Sequence, residues 1–253
     1  MADGHEQNLE MYECAIGDLP AFVTVDMNLH SSAPQNGRQV LADLRLALRQ
    51  PRENGLPVKE ESSRIYELED LIESTLTGRC DCVLAGKIWT GGFRKLYFYC
   101  AKADALGRAL QDVADSLKPY EVNLSSFQDP EWSSYFDNLY PNDLAFQYIA
   151  DRKTVDTLAE HGDTLETPRK VDHWAYFETE AQRAAFVGEI KKDAFQVESL
   201  DKLEEGESPY GVAFSRVDSV VLSNFCRITE RLFILAGKLG GTYDGWESEV
   251  VTG

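Results

Sequence analysis

Apolar positions along the chain alternate or recur at intervals that divide it into short strands and longer helices. Residues 11–16 and 20–29 form two extended runs joined by Gly17-Asp18. In the second run Val23, Val25, Met27 and Leu29 alternate with Thr24, Asp26 and Asn28, which predicts a half-buried strand. Val40, Leu41, Leu44 and Leu48 then recur at helical spacing and stop before Pro51. After a loop rich in Pro, Gly and Asn, Ile65, Leu68, Leu71, Ile72 and Leu76 mark a second helical face ending at Gly78. Residues 82–89 and 93–100 are apolar runs around Thr90-Gly91-Gly92, whose glycines can adopt the positive φ of a tight hairpin. Leu106, Leu110, Val113 and Leu117 predict another helix, and Tyr120, Val122 and Leu124 another strand. With the opening hairpin strand set aside and the two helical patterns fused, residues 20–127 read β-α-β-β-α-β, the order of a ferredoxin-like sandwich.

A short helix over 131–138 would pack Trp132, Tyr135 and Phe136, and residues 142–161 read as helical with a break near Asp151. The joint between domains falls in 141–150. Beyond it the order repeats. Residues 173–177 make an aromatic strand, and Thr179 with Gln182 fits a capping box opening a helix through Lys191. Phe195 and Val197 begin a strand, residues 201–208 an acidic loop, and Tyr210, Val212 and Phe214 a further strand. From Asp218, read as an N-cap, Val221, Phe225, Ile228, Leu232, Leu235 and Leu239 stripe a long helix that Gly240-Gly241 would end. The last strand follows over 242–250. The expected class is α+β: two tandem ferredoxin-like sandwiches with antiparallel sheets, over residues 1–148 and 149–253.

Composition adds that the 253 residues, 43% hydrophobic and 27% charged, can build substantial cores. The opening residues have neither a basic nor an apolar stretch of export type and no long apolar run occurs, so a cytoplasmic protein without a membrane span is expected. A net charge of −18 repels phosphate backbones and attracts basic partners, which argues against direct nucleic-acid binding. Residues 1–128 carry 19 acids and 13 bases and residues 129–253 carry 24 and 12, making the second half the better lure for a basic segment. Cys14, Cys80, Cys82, Cys100 and Cys226 fit reduced, buried thiols, and with His5, His30, His161 and His173 scattered, no metal or other cofactor is expected.

Candidate chemistry is sparse. Asp172 and His173 are neighbours on a strand and point to opposite faces, so they are poorly placed to pair as acid and base. Gly91-Gly92 with Arg94 and Lys95 opens a strand, where phosphate loops open helices. Ser125, Ser126 and Ser208 lack the turn that exposes a nucleophile. The segment 240–249, G-G-T-Y-D-G-W-E-S-E, instead suits recognition. Alternation groups Tyr243, Gly245 and Glu247 on one face and Asp244 and Trp246 on the other. An exposed Trp246 beside carboxylates could stack on and pair with an arginine.

His161-Gly162-Asp163, residues 168–174, Tyr210-Gly211-Val212, and Leu235-Ala236 leading through Gly240 into Tyr243-Asp244-Gly245-Trp246 resemble the family of the regulator of ribonuclease E activity B, over residues 150–253. The preceding half resembles a bacterial domain of unknown function. The resemblance implies an acidic, non-catalytic protein that docks on the regulatory region of ribonuclease E and changes which messages are cut. On that reading Tyr243, Asp244, Trp246 and Glu247 contact a basic segment of the partner, and Glu204, Glu205 and Glu207 steer it. The alternative is a small-ligand binder or enzyme with a pocket between the two domains, where Trp132, Tyr135, His173 and Trp174 would meet. A third reading has the sheets pair with those of another copy.

Overall fold

The computed structural model describes residues 5–252. Of the opening segment read above as lacking an export signal, Met1–Gly4 lie outside the described residues. The chain divides into two compact units, Met1–Asn142 and Asp143–Gly253, and each contains one antiparallel sheet.

In the first unit the hairpin β1 (Leu9–Ile16) and β2 (Leu19–Asp26) turns at Gly17, whose φ of +62° explains the glycine. The second extended run stops three residues early: Asp26 accepts from the Asn28 N–H and caps a 3-10 turn over Met27–Ser31. The largest departure from the pattern is β3 (Val40–Ala47), expected as a helix. It lies between two other strands and is buried on both sides, so Leu41 faces one way and Ala42, Leu44 and Leu46 the other. Ala42, Leu44 and Leu46 alternate with Asp43 and the exposed Arg45, but this run is short, and the spacing of Val40, Leu41, Leu44 and Leu48 imitated a helical one.

Next come α1 (Lys59–Arg79), β4 (Cys82–Thr90) and β5 (Phe93–Cys100), with the β4–β5 hairpin turning on Gly91 and Gly92 at φ +57° and +81°, as expected. The following helix is broken into α2 (Ala103–Gln111) and α3 (Ala114–Leu117) before β6 (Val122–Gln128). The sheet order is β1-β2-β4-β5-β3-β6. One face packs Leu44, Leu46, Leu84, Leu96 and Phe98 against Ile65, Leu68, Ile72 and Leu76 of α1 and Leu106 of α2. On the opposite face Trp132 stacks on Tyr99 with ring centroids 3.8 Å apart, ahead of α4 (Ser133–Asn138). Trp132 adopts a left-handed φ of 56°, a turn fixed by Asp129, whose carboxylate accepts from the Tyr99 hydroxyl (2.6 Å) and the Ser133 and Ser134 amides.

The second unit starts with α5 (Asp143–Glu160), which runs through Asp151 without the expected break. It ends at Gly162, φ +82°, in a C-terminal cap that turns the chain into Asp163. The rest is β7 (Arg169–Phe177), α6 (Glu180–Ile190), β8 (Gln196–Lys202), β9 (Tyr210–Asp218), α7 (Leu222–Lys238) and β10 (Gly241–Ser248), with sheet order β10-β7-β9-β8. The Thr179–Gln182 capping box is present. Asp218 is not the cap of α7: that position is Val221, and the Asp218 carboxylate pairs with Arg216 within β9 instead. Phe177, Val212, Phe214 and Tyr243 face Phe186 of α6 and Leu232 and Ala236 of α7. The sheet therefore has one face under helices, and each of those aromatic side chains contributes on the order of 2 kcal/mol through burial.

Candidate functional site

The segment 240–249 is built around a bulge. In its pairing with β7, Tyr243 lies opposite Ala175 and Gly245 opposite Trp174, so Asp244 is the extra residue and Gly245 takes φ +108°. The bulge shifts the alternation, and Tyr243 and Trp246 end on the same, helix-covered face, which corrects the expected grouping. Tyr243 is 4% exposed and shares a 2.8 Å hydrogen bond with His173 Nδ1. Trp246 is half-buried, edge-on to Phe225, and its indole N–H donates to Asp151 (2.8 Å). Both aromatics anchor the strand, and Thr242, Asp244 and Glu247 are its exposed residues.

His173 is wholly buried among Phe195, Phe214, Phe225 and Tyr243, which excludes it from any surface cleft. Burial, with Arg216 nearby as a smaller cause, pushes its pKa down to about 3, so it is neutral at physiological pH. Trp132 and Tyr135 are likewise fully enclosed in the first unit, where Tyr135 donates to the Asp26 carbonyl. Of the four residues proposed for a pocket, Trp174 is the one that reaches a surface.

His173 has a measurable consequence. Its folded pKa lies below the ordinary value of 6.5, so the unfolded chain binds the proton first, and stability present above pH 6.5 is lost as pH falls toward 3. Between pH 7 and 5 the loss from this group amounts to about 2 kcal/mol. Asp151, whose carboxyl is raised by burial, acts in the opposite direction. Urea unfolding of wild type and His173→Phe at both pH values isolates the histidine: the variant is expected to lack that 2 kcal/mol of pH dependence.

The uncovered face of the second sheet carries the remaining candidates. Along β7, Lys170, Asp172, Trp174 and Tyr176 point away from the helices in strict alternation with buried neighbours. Trp174 lies between Gly245 and Ala213, and Tyr176 between Thr242 and Gly211. A Cβ on Gly211 would lie 3.1 Å from the Tyr176 ring, so the ring rests over that glycine. Small cross-strand neighbours leave both aromatics standing above the sheet. Carboxylates border them: Asp172 and Glu247 face each other across β7 and β10, and Lys170 is held by Asp172 (2.8 Å) and Glu198 (3.3 Å). The Ser215 hydroxyl, followed by Lys170, holds the Glu198 carboxyl below its usual pKa. Glu204, Glu205 and Glu207 are exposed in the β8–β9 connection, at the opposite edge of the sheet from Asp244 and Glu247. Three strand spacings, about 14 Å, separate those edges, so the two acidic groups flank the aromatic pair and do not form one patch.

Sequence reasoning missed Asp151. It is 1% exposed and accepts from Trp246 Nε1, from Thr229 Oγ1 (2.5 Å) and from Gln147 Nε2 (2.8 Å). Its signal was an acid one turn before Val155 and two before Leu158 on the buried stripe of α5. The other motif residues also serve the fold. Asp163 pairs with buried Arg169 and accepts from the Leu165 and Val251 amides, and Arg169 first among these holds its pKa down at about 2.

A profile described as a family of unknown function, DUF695, matches residues 7–140, more than half of the chain. The chain belongs to the DUF695 family. Its second unit matches the profile of the regulator of ribonuclease activity B over residues 148–248, so a DUF695 domain is followed by a regulator B domain, the arrangement the motifs implied. The regulator B match supports a role in controlling ribonuclease activity. No curated protein matches the chain. Among the described residues no helix is long and apolar enough to cross a membrane, and no group of three or more His, Cys, Asp or Glu could hold a metal ion. Divided at residue 142, the DUF695 unit carries 22 acids and 13 bases and the regulator B unit 21 and 12. Each has a net charge of −9, so the acidity assigned to the second half came from dividing the chain at residue 128.

Proposed function

We propose that this DUF695 protein is a non-catalytic, cytoplasmic regulator that binds a basic segment of a protein partner, ribonuclease E being the partner the resemblance names. Contact is made on the uncovered face of the second sheet. The observation that carries this is the Trp174–Tyr176 pair raised above Gly211, Ala213 and Gly245, with Asp244 and Glu247 along one edge and Glu204, Glu205 and Glu207 beyond the other. An arginine side chain stacks on exposed indole and phenol faces and pairs with carboxylates at their rim, so aromatic and acidic residues recognise it together. Strand order β10-β7-β9-β8 with two helices on one face supports the ferredoxin-like reading of this unit, and β5-β3 between β4 and β6 supports it for the first, where β1 and β2 extend the sheet.

The test is a titration of the purified regulatory region of ribonuclease E into the full chain, following tryptophan fluorescence at low and moderate salt. Trp174→Ala is expected to weaken binding at least about tenfold, as loss of a central aromatic does at protein interfaces. Asp244→Lys with Glu247→Lys is expected to weaken it at low salt and flatten its salt dependence, because exposed charges are screened beyond about 10 Å at 0.1 M salt. Unchanged affinity in both variants would show that this face is not the contact.

A further inference from the structure

An open cavity of about 680 Å³ lies at the surface of the first unit, where His5, the connection from the Met27–Ser31 turn to β3, and Asp81 ahead of β4 meet. Its volume is that of a small-molecule site, but Pro34 is the one apolar residue of its lining, so the occupant it suits is polar. The polar side chains are held from behind. Asp26 is wholly buried; one carboxylate oxygen accepts from the Asn8 and Asn28 amides (3.0 and 3.1 Å) and the other from His5 Nε2 (2.5 Å). Nε2 therefore carries the hydrogen of the neutral ring, and Nδ1 is an acceptor without a partner among the described residues. Arg38 Nη1 donates to Gln35 Oε1 (2.7 Å), Gln35 Nε2 to Ser32 Oγ (3.2 Å), and Ser32 Oγ to the Leu29 carbonyl (3.3 Å), a chain that fixes the sense of each group.

Arg38 Nε donates to one oxygen of exposed Asp81, Oδ1 (2.8 Å). Among the described residues these bonds leave unused Arg38 Nη2, Asp81 Oδ2, the Asn36 side-chain amide and His5 Nδ1. A cation and an anion side by side, each with a free hydrogen-bonding edge, disfavour a ligand of single charge, which one of them repels. They match a ligand that carries both charges on neighbouring atoms. We infer that this cavity binds a free α-amino acid with a polar side chain. Its carboxylate takes the outer edge of the Arg38 guanidinium, its ammonium donates to Asp81 Oδ2, and its side chain meets the Asn36 amide and His5 Nδ1. The site lies wholly in the first unit and is independent of the contact face on the second sheet.

The full chain is titrated calorimetrically with glutamine, with glutaramate, which lacks the ammonium, with γ-aminobutyramide, which lacks the carboxylate, and with glucose, a neutral ligand rich in hydroxyls. Glutamine is expected to bind at least about tenfold more tightly than any of the others, since each of them lacks at least one charge-assisted hydrogen bond. Asp81→Asn is expected to weaken glutamine about tenfold and glutaramate not at all, and Arg38→Met to weaken glutamine about tenfold and γ-aminobutyramide not at all. Because Asp81 is exposed, its substitution is expected to leave the melting midpoint nearly unchanged, which separates loss of affinity from loss of the fold. No binding of glutamine, asparagine or serine at about 10 mM, an analogue or glucose binding as tightly as glutamine, or undiminished glutamine affinity in Asp81→Asn overturns the inference.

Discussion

Glu69→Ala is expected to destabilise the first unit by about 3–5 kcal/mol, the loss seen when one partner of a buried ion pair is removed. Glu69 and Arg94 are 2% and 3% exposed, and the guanidinium donates to both carboxylate oxygens. Lys87 lies 3.4 Å from the same carboxylate and 3.0 Å from Glu73. Without Glu69, Lys87 keeps Glu73, whereas Arg94 keeps only the Trp89 ring, 4.7 Å from its guanidinium carbon, and its Nη1 already lacks a partner. A cation so placed has neither water nor a counter-charge. The double variant Glu69→Ala with Arg94→Met is therefore expected to recover most of the loss, because it removes the stranded charge and keeps the apolar stem. Urea unfolding of both variants decides: a loss below about 1 kcal/mol for Glu69→Ala would place the pair in solvent, where ion pairs contribute that little.

The β4–β5 hairpin was legible because two glycines at positive φ leave few alternatives, and the Thr179–Gln182 box because both of its bonds are local. Residues 40–47 failed for a non-local reason: what makes them a strand is pairing with β5 and β6, distant in sequence, and the short alternation over Ala42–Leu46 did not outweigh the helical spacing of residues 40, 41, 44 and 48. At the candidate site the error came from one residue. The bulge at Asp244 shifts the strand's register and brings Trp246 onto the same inner face as Tyr243, where alternation set the two on opposite faces, and no alternation argument contains such a shift. Trp174 was noticed, but for a cleft, because the strand was read only from His173; the full span from Arg169 places it on an open sheet face.

Asp151→Ala is expected to cost the second unit about 3 kcal/mol or more. The substitution leaves Trp246 Nε1 without its acceptor, leaves Thr229 Oγ1 with the Cys226 carbonyl alone (2.9 Å), and opens a void where α5, α7 and β10 meet; an unsatisfied buried donor costs about 1–3 kcal/mol and the void adds to it. Asp151→Asn keeps the shape and the acceptor for Trp246, and its amide can donate to the Thr229 hydroxyl, so a smaller loss is expected. Trp246→Phe removes one hydrogen bond and part of the contact with Phe225, and belongs on the same scale. These variants separate the two roles that the Tyr243–Glu247 segment combines. If Trp246 contacted a partner directly, Trp246→Phe would weaken binding at temperatures where the unit remains folded. The proposed interface predicts the reverse: Asp151→Ala and Trp246→Phe are expected to lower the unfolding midpoint and reduce binding only as the folded fraction falls, and Trp174→Ala and Glu247→Lys to reduce binding with the midpoint nearly unchanged. Melting and partner titration on the same four variants test this division, and a Trp246→Phe protein that is fully folded but binding-deficient would return the tryptophan to the interface.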